Sequence, residues 1–153
     1  MTAGQEKADF DKEVRRVVYD FTMREGAPPT SERVAENLST APSDVKSSFA
    51  RLADAHILVL QKGNGEILMA NPFSAVVTPF LVNVGNRSYY GNCIWDAMGI
   101  PAMLGADARI STSCGCCRTA MEATIKDGAL AEASGVVHFA IPAARWWDDI
   151  VFN

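Results

Sequence analysis

Apolar residues recur at helical spacing near the head of the chain. Phe10, Val14, Val17, Val18 and Phe21 share one face with charges between them, which predicts a helix over 6–25. Gly26-Ala27-Pro28-Pro29 ends it. Thr30 is placed to cap a short second helix that reaches Leu38. Pro42-Ser43-Asp44 opens a third, in which Val45, Phe49 and Leu52 lie on one side. The period then changes: 57–62 and 66–70 read as strands joined by Gly63-Asn64-Gly65, a hairpin signal. Three helices followed by a hairpin is the order of a winged helix.

Asn71-Pro72-Phe73-Ser74 marks a boundary. Residues 75–82 read as an edge strand, because Pro79 cannot donate to a ladder. Gly85-Asn86-Arg87 turns the chain towards Tyr89-Tyr90 and a helix from Cys93 to about Leu104, which Pro101 is expected to kink or end. Strands are predicted at 108–113 and 119–125, a turn at Lys126-Asp127-Gly128, and a last strand at 135–141. A short helix with Pro142 near its start then runs to Phe152. The prediction is an α+β protein. A winged-helix-like helical module over 1–74 precedes a small mixed β-sheet domain with helices over 75–153.

Charge narrows what the first module can do. Residues 1–75 carry nine Lys and Arg against eleven Asp and Glu, and the whole chain has a net charge of −4. Binding to DNA needs phosphate neutralisation, so the balance argues against that partner and for a scaffold or dimerisation element. The N-terminus is polar and mixed in charge, and no apolar run approaches the roughly 18 residues of a membrane span. These features predict a cytoplasmic protein with no membrane partner. In a reducing compartment its cysteines are expected to be free thiols, metal ligands or redox groups.

All four cysteines fall within 93–117. If Asn92 is the helix N-cap, Cys93 lies in the first turn and Asp96 three residues on, with thiol and carboxylate on one face. A helix N-terminus stabilises a thiolate, and the neighbouring acid can accept or deliver a proton. Cys114, Cys116 and Cys117 close the predicted strand before them. Four thiols bracketing one acid are the chemistry of a soft-metal site.

The stretch 87–114 resembles the core of the organomercurial lyase (alkylmercury lyase) family. That pattern is an aromatic, two further residues, then Cys-x-x-Asp, then Pro-Ala-x-x-Gly, then Ala-Arg-[Val/Ile]-Ser-x-x-Cys. Cys93, Asp96, Pro101, Ala102, Gly105, Ala108, Arg109, Ser111 and Cys114 match in order and spacing. Val137-His138-Phe139 is similar to a Val-His-Phe strand of the family. The resemblance is clear over about 85–118 and weak elsewhere. It implies protonolysis of a carbon–mercury bond, with two thiolates gripping mercury and an aspartate handing a proton to carbon. Cys93 then matches the first catalytic cysteine and Asp96 the proton-shuttling acid. The family's second catalytic cysteine precedes the Val-His-Phe strand. Ser134-Gly135 stand there here, which leaves Cys116 or Cys117 as the candidate second thiol. The resemblance implies no organic cofactor. An organomercurial or other soft-metal small molecule is the partner, Hg(II) the metal bound, and external thiols the acceptors of the product. A non-enzymatic soft-metal binder, either a metallochaperone or a metal-sensing regulator on the same fold, is the rival reading.

The remaining residues carry plainer expectations. Cys114 alone reads as structural and His138 as a satisfied core histidine. His56 reads as a polar residue at a helix end. Trp95, Trp146 and Trp147 read as core or interface, and Tyr89 and Tyr90 as walls of the Cys93 pocket or as core.

Overall fold

A computed structural model describes residues 2–151. Phe152, expected to finish the last helix, lies outside the described residues. Helix α1 spans Ala3–Glu25, capped at one end by the Thr2 hydroxyl and at the other by Gly26 in the left-handed region. Helix α2 covers Ser31–Leu38 under a Thr30 cap, and α3 covers Pro42–Asp54. Their apolar stripes meet: Val14, Val18, Val34, Val45 and Phe49 are completely buried. Strands β1 (Val59–Leu60), β2 (Ile67–Ala70) and β3 (Phe73–Ser74) pair antiparallel in that order and close this first core.

The second half is an antiparallel sheet of order β5-β4-β6-β7-β8 with one helix packed on it. Its strands are β4 (Leu81–Val84), β5 (Arg87–Tyr90), β6 (Ala108–Ser113), β7 (Ala120–Lys126) and β8 (Ala129–Ala133). Helix α4 (Ile94–Leu104) covers Phe73, Val82, Tyr89 and Ile110 with Ala97 and Ile100, which is a second core. The α+β class is as the pattern predicts. Among the described residues no helix is long and apolar enough to cross a membrane.

The two cores touch. Tyr19 of α1 packs against both, and its hydroxyl donates to the Asn71 carbonyl at 2.9 Å. The Tyr89 hydroxyl donates to the Met23 carbonyl at 2.7 Å. A Cβ on Gly26 would lie 2.7 Å from the Ser88 carbonyl oxygen, so α1 ends directly against β5.

Several local expectations fail. The strand expected over 75–82 starts only at Leu81, and it is not an edge: β4 lies between β5 and β6. Pro79 stands in the loop before it, where no ladder bond is needed. Strands β5 and β8 were not anticipated. Residues 135–141 form no strand, because nothing among the described residues pairs with them beyond β8. The terminal helix is a 3-10 turn over Ala143–Asp148. Pro101 sits inside α4 without ending it; Gly105 does, at φ 59°. His138 is exposed rather than a core histidine, and Trp95 is 61% exposed. Tyr89 belongs to the second core.

Candidate active site

The start of α4 is held in place by the loop before it. The Gly91 N–H donates to the Phe80 carbonyl at 3.0 Å, and its carbonyl accepts from the Thr78 hydroxyl at 2.6 Å. Gly91 also bridges to Phe73 of β3. Two residues later the chain is still extended: Cys93, not Asn92, is the N-cap of α4, at φ −145° and ψ −178°. The helix therefore begins one residue later than the sequence suggests. Cys93 and Asp96 remain on one face, with the sulfur 3.8 Å from Asp96 Oδ2.

Asn92 locks this pair from the side. Its Nδ2 donates to Asp96 Oδ2 at 3.0 Å and to Asn71 Oδ1 at 3.2 Å, tying α4 to the end of β2. Asn92 Oδ1 is buried with no hydrogen-bond partner among the described residues.

Burial decides both ionisations. It pushes the Cys93 thiol above its ordinary value, and the Asp96 charge adds to this, while the Asp96 and Trp95 amides pull the other way. The thiolate stabilisation expected of a helix N-terminus is outweighed. Burial also raises the Asp96 carboxyl, against the lowering effect of hydrogen bonds from Asn92 and Cys93. Burial thus disfavours the charged form of each group where the two meet.

Cys93 and Asp96 face a cavity of about 190 Å³. Met69 and Asn71 line one side of it. Phe139, Trp146, Trp147, Ile150 and Val151 close the other. The Trp146 indole N–H donates to the Ile141 carbonyl at 2.9 Å, and its ring packs on Phe139 with centroids 4.9 Å apart. Trp147 stacks on His56, centroids 4.1 Å apart and rings 8° from parallel. His56 thus braces the cavity wall from the end of α3, a use its helix-end position did not suggest. The wall residues were missed in sequence, although Trp146-Trp147 is a conspicuous aromatic pair.

The four cysteines do not converge. Cys114, Cys116 and Cys117 sit on the turn between β6 and β7 and do not line the Cys93 cavity. Among the described residues no three His, Cys, Asp or Glu side chains are arranged to hold a metal ion together. Cys114 is half-buried and Cys116 and Cys117 are exposed. Hydrogen bonds from the Thr119 hydroxyl and amide, then from the Cys114 thiol, lower Cys117 to about 7. Ser134 is exposed beyond β8 and is not part of the cavity either.

The chain is similar to known proteins. The family model described as MerB, alkylmercury lyase, matches residues 73–152, just over half of the chain. A curated alkylmercury lyase of Streptomyces lividans is 26% identical over 125 residues, which is 80% of this chain and 56% of that protein. A crystal structure of the mercury-bound form of MerB2 superposes with a TM-score of 0.62 at 22% identity, over 80% of this chain and 60% of that one. That likeness shows the fold. The chain spans little more than half the length of these relatives.

Proposed function

The chain belongs to the alkylmercury lyase family, and from that premise we propose that it cleaves a carbon–mercury bond by protonolysis, with Cys93 as the mercury ligand and Asp96 as the proton carrier. The observation that carries this reading is the 3.8 Å contact between the Cys93 sulfur and Asp96 Oδ2 at the floor of an aromatic-walled cavity. The organomercurial enters with its organic group against Phe139 and Trp146. The Cys93 sulfur displaces the original mercury ligand as its proton passes to the Asp96 carboxylate. A sulfur–mercury bond forms, and the displaced ligand leaves as an anion. Asp96 then returns the proton to carbon, and the electron pair of the breaking carbon–mercury bond becomes the new carbon–hydrogen bond. Mercury stays with sulfur, its preferred soft donor.

A second soft donor makes the carbon easier to protonate. Cys116 and Cys117 do not line the cavity, so in this reading the second donor is an external thiol, which also carries Hg(II) away. Such thiols are abundant in a reducing cytoplasm, where the reaction would run. The organic product is the hydrocarbon. No organic cofactor enters the scheme.

Purified protein incubated with phenylmercury and excess thiol should release benzene, and Cys93→Ser should release none, since a hydroxyl is a poor ligand for a soft metal. Wild-type protein that releases no benzene would remove the lyase reading. A serine variant at full rate would remove Cys93 from it.

A further inference from the structure

The lyase reading leaves three cysteines unused, and two of them form a unit. The turn between β6 and β7 is closed by the Cys114 N–H donating to the Thr119 carbonyl at 2.8 Å and by the Arg118 N–H donating to the Cys114 carbonyl at 2.9 Å. The second bond spans four residues, one turn of helix-like backbone, and such a turn brings side chains three apart onto one side. Cys114 and Cys117 have that spacing; Cys116 does not. The Thr119 hydroxyl lies 3.1 Å from the Cys117 sulfur. Arg118 leaves the turn in the left-handed region at φ 61°, which fixes where the turn stops. Nothing lies within 4 Å of where a Gly115 Cβ would be, so the turn is open to solvent there.

We propose that Cys114 and Cys117 form a two-coordinate binding site for a soft d10 cation such as Hg(II), Ag(I) or Cu(I), separate from the Cys93 cavity. The ligand number selects the ion. No third His, Cys, Asp or Glu among the described residues joins the pair in a metal-holding group, whereas Zn(II) wants four ligands. A pair of thiolates suits soft d10 ions. On binding, two sulfur–metal bonds form and each thiol releases its proton to water, with no change of oxidation state. The site does not depend on the lyase reading.

The test uses the full chain with Cys93→Ser, which silences the cavity. Hg(II) is titrated against an excess of a competing monothiol, and binding is followed by thiolate-to-mercury absorption and by intact mass. A chelating pair presents its second sulfur at an effective concentration in the millimolar range or above. The Cys93→Ser chain should therefore retain one Hg(II). Adding Cys114→Ser or Cys117→Ser should each weaken retention by about tenfold or more, while Cys116→Ser should leave it unchanged. Circular dichroism confirms that each variant folds. Failure to retain Hg(II) against the monothiol overturns the proposal. So does a Cys116→Ser loss equal to that of Cys117→Ser, or full retention in either paired variant.

Discussion

Gly91→Ala tests whether the start of α4 is as tightly fixed as its contacts indicate. Gly91 is not in the left-handed region, so the obstacle is space rather than conformation. An added Cβ would stand 2.6 Å from the Ala97 nitrogen, 2.9 Å from Ala97 Cα and 3.1 Å from the Cys93 carbonyl oxygen. All three are backbone atoms, so no side chain can swing aside. Reaching an ordinary 3.4 Å contact with the nitrogen requires a shift of about 0.8 Å, the difference between 3.4 and 2.6. Gly91 cannot retreat without losing its bonds to Phe80 and Thr78. Helix α4 must move instead, at the bond from the Ala97 N–H to the Cys93 carbonyl. Overpacking costs about 1–3 kcal/mol and a lost backbone hydrogen bond about 1, so a loss of about 2–4 kcal/mol is expected by urea unfolding. The shift also moves Cys93 relative to Asp96. A misplacement of about 1 Å costs about a hundredfold in rate, to be read as benzene release from phenylmercury. Gly115→Ala, with nothing within 4 Å of its Cβ, is the control and should stay within about 0.5 kcal/mol of wild type. A Gly91→Ala protein that matches this control in stability and wild type in rate would refute the reasoning.

Two titrating residues give predictions of opposite sign. Burial raises Asp96 in the folded state, so its stabilising contribution is present below its unfolded value near 3.8 and is lost as pH rises through the folded value. Asp96→Asn should therefore unfold at a higher temperature than wild type in mildly alkaline buffer, with the gap closing on acidification, while benzene release falls by about a hundredfold or more; a gap that does not change with pH would contradict this. Burial also works to raise Asp11, but hydrogen bonds from Arg51 at 2.8 and 2.6 Å and from Ser48 at 2.6 Å outweigh it and hold the carboxyl low. Its contribution is present above pH 3.8 and lost as pH falls through the folded value. Asp11→Asn should cost about 1–3 kcal/mol at neutral pH and nothing in strong acid; equal stability at neutral pH would show that the pair contributes no net stabilisation.

What was legible in the sequence is what neighbouring residues decide. The three helices announce themselves through spacing and caps, and the Cys93–Asp96 pair through a spacing of three on one helix face. What was not legible depends on partners far along the chain. Strand β8 reads Ala-Leu-Ala-Glu-Ala, a helix-forming composition, yet it is extended because β7 offers it a ladder. Residues 135–141 have the reverse fate: Val136 and Val137 favour strands, but no ladder reaches them, and Val136 is left 91% exposed. The one-residue error at the start of α4 has a local cause, since Asn is a better cap than Cys, but the bonds that pin Gly91 decide where the helix begins. The ionisation of Cys93 was misjudged because burial, which the sequence does not show, opposes the helix end.

The cavity draws Met69 and Asn71 from one side of the sequence boundary at 74/75 and Cys93, Asp96 and the tryptophans from the other. Its two sides are therefore inherited together. A recombinant that joined 75–153 to the helical module of a distant relative would keep the thiol and the acid. It would put at risk the Asn71 amide that Asn92 binds and the His56 ring beneath Trp147, both supplied by the replaced half. A swap of the first half alone should therefore disturb a site whose thiol and acid both lie in the second.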